Sequence, residues 1–124
     1  MSSVMPIDLP ALFEVVAVRH IAIGELASGP EQLAIDSLVN VFLVRGREAL
    51  ERFTRHGNDA DTEKLLYTAC AAGIAFKKVL LASRPCADKR PELTLFLADL
   101  QLLMVELFER INNEHAPTER PLMH

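Results

Sequence analysis

The sequence predicts an all-α protein folded as an antiparallel four-helix bundle, and three observations carry that expectation. The segments between chain-breaking clusters run to about 20 residues or more, against about five or six for an ordinary strand. Apolar residues inside them recur at steps of three and four. The breakers, "SGP" at 28–30, "HGNDAD" at 56–61 and "SRPCADKRP" at 83–91, leave connections short enough to fold each helix back along its predecessor. Helices are expected over roughly 9–27, 30–56, 60–83 and 89–114, in one domain spanning 1–116. A tail, 117–124, follows, and its prolines and polar residues predict mobility.

The first helix contains "FEVVAVRHIAIGEL", residues 13–26, strand-like in its β-branched residues but helical in its length. On a strand, Glu14 and His20 would share one face and Arg19 would take the other, leaving neither apolar. On a helix, Glu14 and Glu25 line up on one side. No two of Glu14, Arg19, His20 and Glu25 stand three or four residues apart, so none neutralises another within the helix. Each is expected to reach water, another helix or a second subunit.

The second helix opens at Pro30, after Ser28 or Gly29 as cap, with Glu31 complementing the helix dipole. Its stripe is Ile35, Val39, Phe42, Gly46, Leu50 and Phe53, and Gly57 is a natural left-handed stop. Between Arg45 and His56, Glu51 stands four residues from Arg47 and Arg55, and Glu48 four from Arg52, which describes a salt-bridged, solvated face. Glu106, Glu109 and Glu114 of the fourth helix are expected to end near it. The third helix starts from Asp59 or Asp61 as N-cap and buries Leu65, Ala69, Ala72, Gly73, Phe76, Val79 and Leu80.

Three glycines, Gly24, Gly46 and Gly73, fall inside expected helices, where each costs roughly 1 kcal/mol against Ala. They lie at different levels and so mark close helix contacts rather than one ligand slot. The small-residue run "TACAAGIA", 68–75, allows such an approach, and a narrow apolar pocket beside it is the basis for an alternative small-molecule-binding function. The fourth helix has the cleanest stripe, Leu93, Leu97, Leu100, Met104, Leu107 and Ile111, with Phe96, Leu103 and Phe108 beside it. A second strip, Leu95, Leu102 and Val105, lies on another face. Together with the apolar first helix it exceeds what a monomer covers, which predicts a homodimer with these three residues at the interface.

Composition removes several classes of function. The formal net charge of −4 offers no field for a polyanion, so nucleic acid is not an expected partner. With one Tyr and no Trp, stacking platforms for bases are scarce. The start "MSSVMPIDLP" is no signal peptide, and the closest approach to a membrane span, "LTLFLADLQLLMVELF", carries Asp99 and Glu106. Cys70 and Cys86 make no metal spacing and no disulfide framework, which suits free thiols in the cytoplasm. No Glu-x-x-His, His-Glu-x-x-His or Cys-x-x-Cys occurs. Asp59, Asp61 and Glu63 alternate as in a calcium loop, but Lys64 and Cys70 stand where that loop needs Gly and Glu. No metal or cofactor is expected, and no Gly-rich phosphate loop or serine nucleophile motif is present.

Among titratable residues His20 is a candidate base because it sits in the most apolar helix, with a hydrogen-bonded core-edge histidine as the plainer reading. Cys86 lies in a partly basic loop without a histidine nearby in sequence. "RINNEH", Arg110 to His115, resembles the Arg-x4-His pattern of the HEPN-type helical ribonucleases, which are dimers of small four-helix units. The resemblance covers six residues of 124 and departs from the family at Ile111, where a polar residue is usual. It implies Arg110 on a scissile phosphate and His115 as acid–base. The residues themselves form no coherent catalytic constellation. They point to a non-enzymatic bundle acting as an adaptor or regulator through contact with itself and another protein.

Overall fold

A computed structural model describes residues 7–27, 29–83 and 90–113. It has four helices, α1 (Leu9–Ile23), α2 (Pro30–His56), α3 (Ala60–Ser83) and α4 (Arg90–Asn113), and no strand among the described residues. The all-α four-helix arrangement is as the periodicity predicts.

Each start and stop has a local cause. Asp8 caps α1, its Oδ1 accepting from the Ala11 amide at 3.1 Å, and Pro10 sits in the first turn where no amide is needed. At the far end of α2, Gly57 takes φ +77°, and its amide donates to the Phe53 carbonyl at 2.8 Å. Asp59 then caps α3, accepting from the Thr62 amide at 2.9 Å. The one correction to the expected boundaries concerns α1, which stops at Ile23 rather than 27. Gly24 is not inside a helix; it takes φ +72° and turns the chain. Leu26 and Ala27 continue the apolar run as loop, Leu26 folding back into the core.

Side-chain contacts run in opposite senses along neighbouring helices. Between α1 and α4, Arg110 reaches the Ile7 carbonyl while Arg19 pairs with Asp99 and His20 stacks on Phe96. Between α1 and α2, Glu14 meets Arg47 and His20 meets Asp36. Between α3 and α4, Tyr67 meets Phe108 and Lys77 meets Gln101.

The core contains Phe13, Phe42, Phe76 and Phe96, all fully buried, with Phe76 edge-on to Phe96 at 5.6 Å. Several positions differ from the expected stripes, Val79 and Leu97 among them, which are only partly buried. On α3, Leu66 is fully buried and Leu65 only partly, because the core face of that helix runs through Thr62, Leu66 and Ala69. On α2, Leu43 and Ala49 are buried while Leu50 and Phe53 lie at the core's edge. The small residues at Gly46 and Gly73 mark close contacts, as expected. A Cβ at Gly46 would stand 2.9 Å from the Phe13 ring, and one at Gly73 would stand 2.6 Å from Met104 Sδ. The stretch Ala60–Ala82, rather than α4, is long and apolar enough by length and composition to cross a membrane, with mean hydropathy 1.6. Its Leu66, Ala69, Phe76 and Leu80 side is part of the bundle core.

Candidate interaction surface

The three strip residues of α4, Leu95, Leu102 and Val105, are 53, 40 and 38% exposed. Ala98 completes the run and is also exposed, giving steps of three, four and three. α1 carries a matching stripe, exposed Ala11, Val15, Val18 and Ala22, at steps of four, three and four. The Arg19–Asp99 ion pair joins the two helices, so both stripes flank the same seam. Val15 and Val18 add to the three expected interface residues, and their sequence signal is positional: on α1 they stand opposite the buried Leu9, Phe13 and Val16. The polar features of this face are the half-buried Arg19–Asp99 ion pair and the carboxylates of Glu92, Glu106 and Glu109.

The polar residues of the opening stretch divide among other helices, as their spacing requires. Glu14 Oε2 accepts from Arg47 at 3.0 Å, and the Arg47 guanidinium lies 5.6 Å above the Phe13 ring. Arg19 takes Asp99 of α4 and His20 takes Asp36 of α2. Glu25 lies beyond α1 in the loop, so the expected helical alignment of Glu14 with Glu25 does not occur.

His20 is the hydrogen-bonded, core-edge histidine of the plainer reading. Its Nε2 stands 3.1 Å from Asp36 Oδ1, and its ring stacks on Phe96 at 6.0 Å. Asp36 Oδ1 also accepts from Gln32 Nε2 at 2.8 Å, and Gln32 Oε1 accepts the Leu26 and Ala27 amides at 2.7 and 2.9 Å. The chain His20–Asp36–Gln32 thereby holds the α1–α2 loop. Its outer side is an open depression of about 330 Å³ lined by His20, Ile21, Gly24, Glu25, Gln32 and Asp36. These residues supply carboxylates beside an imidazole, with no Ser, Thr, Cys or Lys among them.

Arg110 Nη2 donates to the Ile7 carbonyl at 3.0 Å, tying the end of α4 to the start of α1. His115, Cys86 and the tail 117–124 lie outside the described residues. Cys70 is half-buried on α3, and burial pushes its thiol pKa up, away from nucleophilic chemistry.

The basic end of α2 is neutralised, though largely by other partners than the expected ones. Arg45 takes Glu48, Arg47 takes Glu14, and Arg55 takes Glu51 at 3.7 Å. Arg52 reaches across the turn to Asp59 and Asp61 at 3.1 and 3.2 Å, because the short loop brings the acidic start of α3 beneath it. The Thr62 amide, followed by Arg52, holds the Asp59 carboxyl at a pKa of about 2. Among the described residues no group of three or more His, Cys, Asp and Glu could hold a metal ion.

Beside the 68–75 run, Met104 fills the space over Gly73. An apolar groove of about 230 Å³ opens one turn further on, lined by Lys77, Leu80, Leu81 and Leu97. No family model, curated protein or solved structure matches the chain.

Proposed function

We propose that this chain is a small cytoplasmic interaction protein, an adaptor or regulator that works by contact rather than catalysis and pairs with a second copy through the outer face of α1 and α4. The observation that carries this reading is the pair of outward stripes on adjacent helices, Val15 and Val18 on one and Leu95, Leu102 and Val105 on the other, each 38–61% exposed. Solvent-facing helices of a finished monomer are polar on that side. Fully burying a Val or Leu contributes about 1.5–3 kcal/mol. A two-fold pairing covers the same stripe twice, for a gross gain on the order of 10 kcal/mol, which stands against an association cost of about 4–15 kcal/mol. An unlike partner needs a stripe of its own to reach that figure. The Arg19–Asp99 pair stays matched when the face is covered, and the carboxylates of Glu106 and Glu109 beside the strip must remain at a solvated rim.

Light scattering on the full chain tests the proposal. The wild type is expected at about twice 13.8 kDa at high micromolar concentration, and Leu102→Asp at 13.8 kDa with its helix content unchanged. A wild-type mass of 13.8 kDa across that range would remove it.

A further inference from the structure

A second apolar face lies on the other side of α4, where it meets α3. Tyr67, Ile74 and Leu81 stand seven residues apart on α3 and are 52, 51 and 82% exposed, so they form one stripe about 21 Å long. Across from them on α4, Phe108 is 42% exposed and its ring lies 6.5 Å from that of Tyr67. The aromatic pair stands at one end of the stripe, and the groove of Lys77, Leu80, Leu81 and Leu97 opens at the other. Lys77 donates to Gln101 at the groove's wall, and exposed Lys78 follows it. The charge bordering the groove is thus positive, in a chain whose formal net charge is −4.

We infer that the α3–α4 face is a docking site for an acidic amphipathic helix of another protein, its apolar stripe seated along Tyr67, Ile74 and Leu81 and its carboxylates on Lys77 and Lys78. Charge complementarity selects this occupant: the described lining of the groove carries Lys77 and no carboxylate, and exposed Lys78 stands beside it, so a helix of Glu and Leu meets two ammonium groups there. A helix that places leucines at i, i+3 or i+4 and i+7 matches the seven-residue repeat of the stripe. An aromatic pair at the end of an apolar stripe is the kind of anchor on which such recognition concentrates. This docking uses a different face from the self-association proposed above, so either can fail alone.

The probe is a synthetic 18-residue helix with a leucine stripe and glutamates elsewhere, compared with the same helix carrying lysines in their place. Both are titrated into the isotopically labelled full chain and followed by amide NMR. The expected result is shifts at Ile74, Lys77, Leu81 and Phe108, with the glutamate helix binding about five- to tenfold tighter. Lys77→Glu with Lys78→Glu reverses that preference, Leu81→Asp abolishes binding, and Leu102→Asp leaves it intact. Equal binding of the two helices overturns the proposal, as do shifts centred on Val15 and Leu102. A drop of the wild-type mass to 13.8 kDa on Leu81→Asp overturns it too, since a second copy then occupies the face, and so does binding to anionic vesicles without binding to the helix.

Discussion

At the scale of single residues, the two helical glycines separate a rigid neighbour from a yielding one. Gly46 faces the edge of Phe13, which is held by Phe42 on one side and Arg47 on the other. A Cβ there has nowhere to push, and Gly46→Ala is expected to cost about 1–3 kcal/mol despite its better helix propensity. Gly73 faces the sulfur of Met104, the flexible part of an adaptable side chain. Its replacement by Ala is expected to stay within about 1 kcal/mol of wild type. Urea midpoints at constant slope measure both; a neutral Gly46→Ala would show that the Phe13 ring can move. The glycines were legible as close contacts from sequence. Which neighbour each one meets was not, because that depends on the register between helices.

Asp59 carries a pH dependence of definite sign. Its folded pKa of about 2 lies below the ordinary aspartate value of 3.8, so its contribution is complete above about pH 4 and disappears as pH falls toward 2. Melting temperature is therefore expected to drop across that window. Asp59→Ala is expected to melt lower at neutral pH and to show a shallower acid slope, and an unchanged slope would place the acid sensitivity elsewhere. "HGNDAD" offers Asp59 or Asp61 as the cap; that Asp59 takes the Thr62 amide and also pairs with Arg52 appears only once Gly57 turns the chain back.

At the scale of the elements, α1 shows where an apolar pattern misleads. The run from Phe13 to Leu26 reads as one helix, yet Gly24 ends it and Leu26 enters the core from a loop. Periodicity reports which residues are buried more securely than the conformation that buries them. The loop is held by Gln32, whose side-chain oxygen satisfies two backbone amides at once. Gln32→Ala is expected to speed hydrogen exchange at Leu26 and Ala27 while leaving the core amides of α2 and α3 protected. Equal protection in the variant would assign the loop's order to Leu26 packing alone. The His20–Asp36 contact belongs to the same latch, which is why a histidine with the look of a candidate base holds two helices and a loop together.

At the scale of the whole molecule, apolar surface is distributed unevenly. α2 turns a charged, internally paired face outward, while α4 is flanked on both sides by exposed aliphatic and aromatic side chains. A protein that pairs through α1 and α4 should melt at higher temperature as its concentration rises, and Leu102→Asp should remove that dependence. The sequence by itself determined the helix count, three of the four helices nearly to the residue, the stop at Gly57, a cap at Asp59 or Asp61, and the strip Leu95–Leu102–Val105. These follow from local sterics and a 3.6-residue period, both properties of a few consecutive residues. Only the tertiary structure decided that α1 adds Val15 and Val18 to the apolar surface, that Arg110 holds the start of α1, and that Tyr67 meets Phe108 at the opposite end of a stripe from a groove edged with lysine. Those facts depend on which helices are neighbours and in what register, and that is set by packing between residues far apart in the chain.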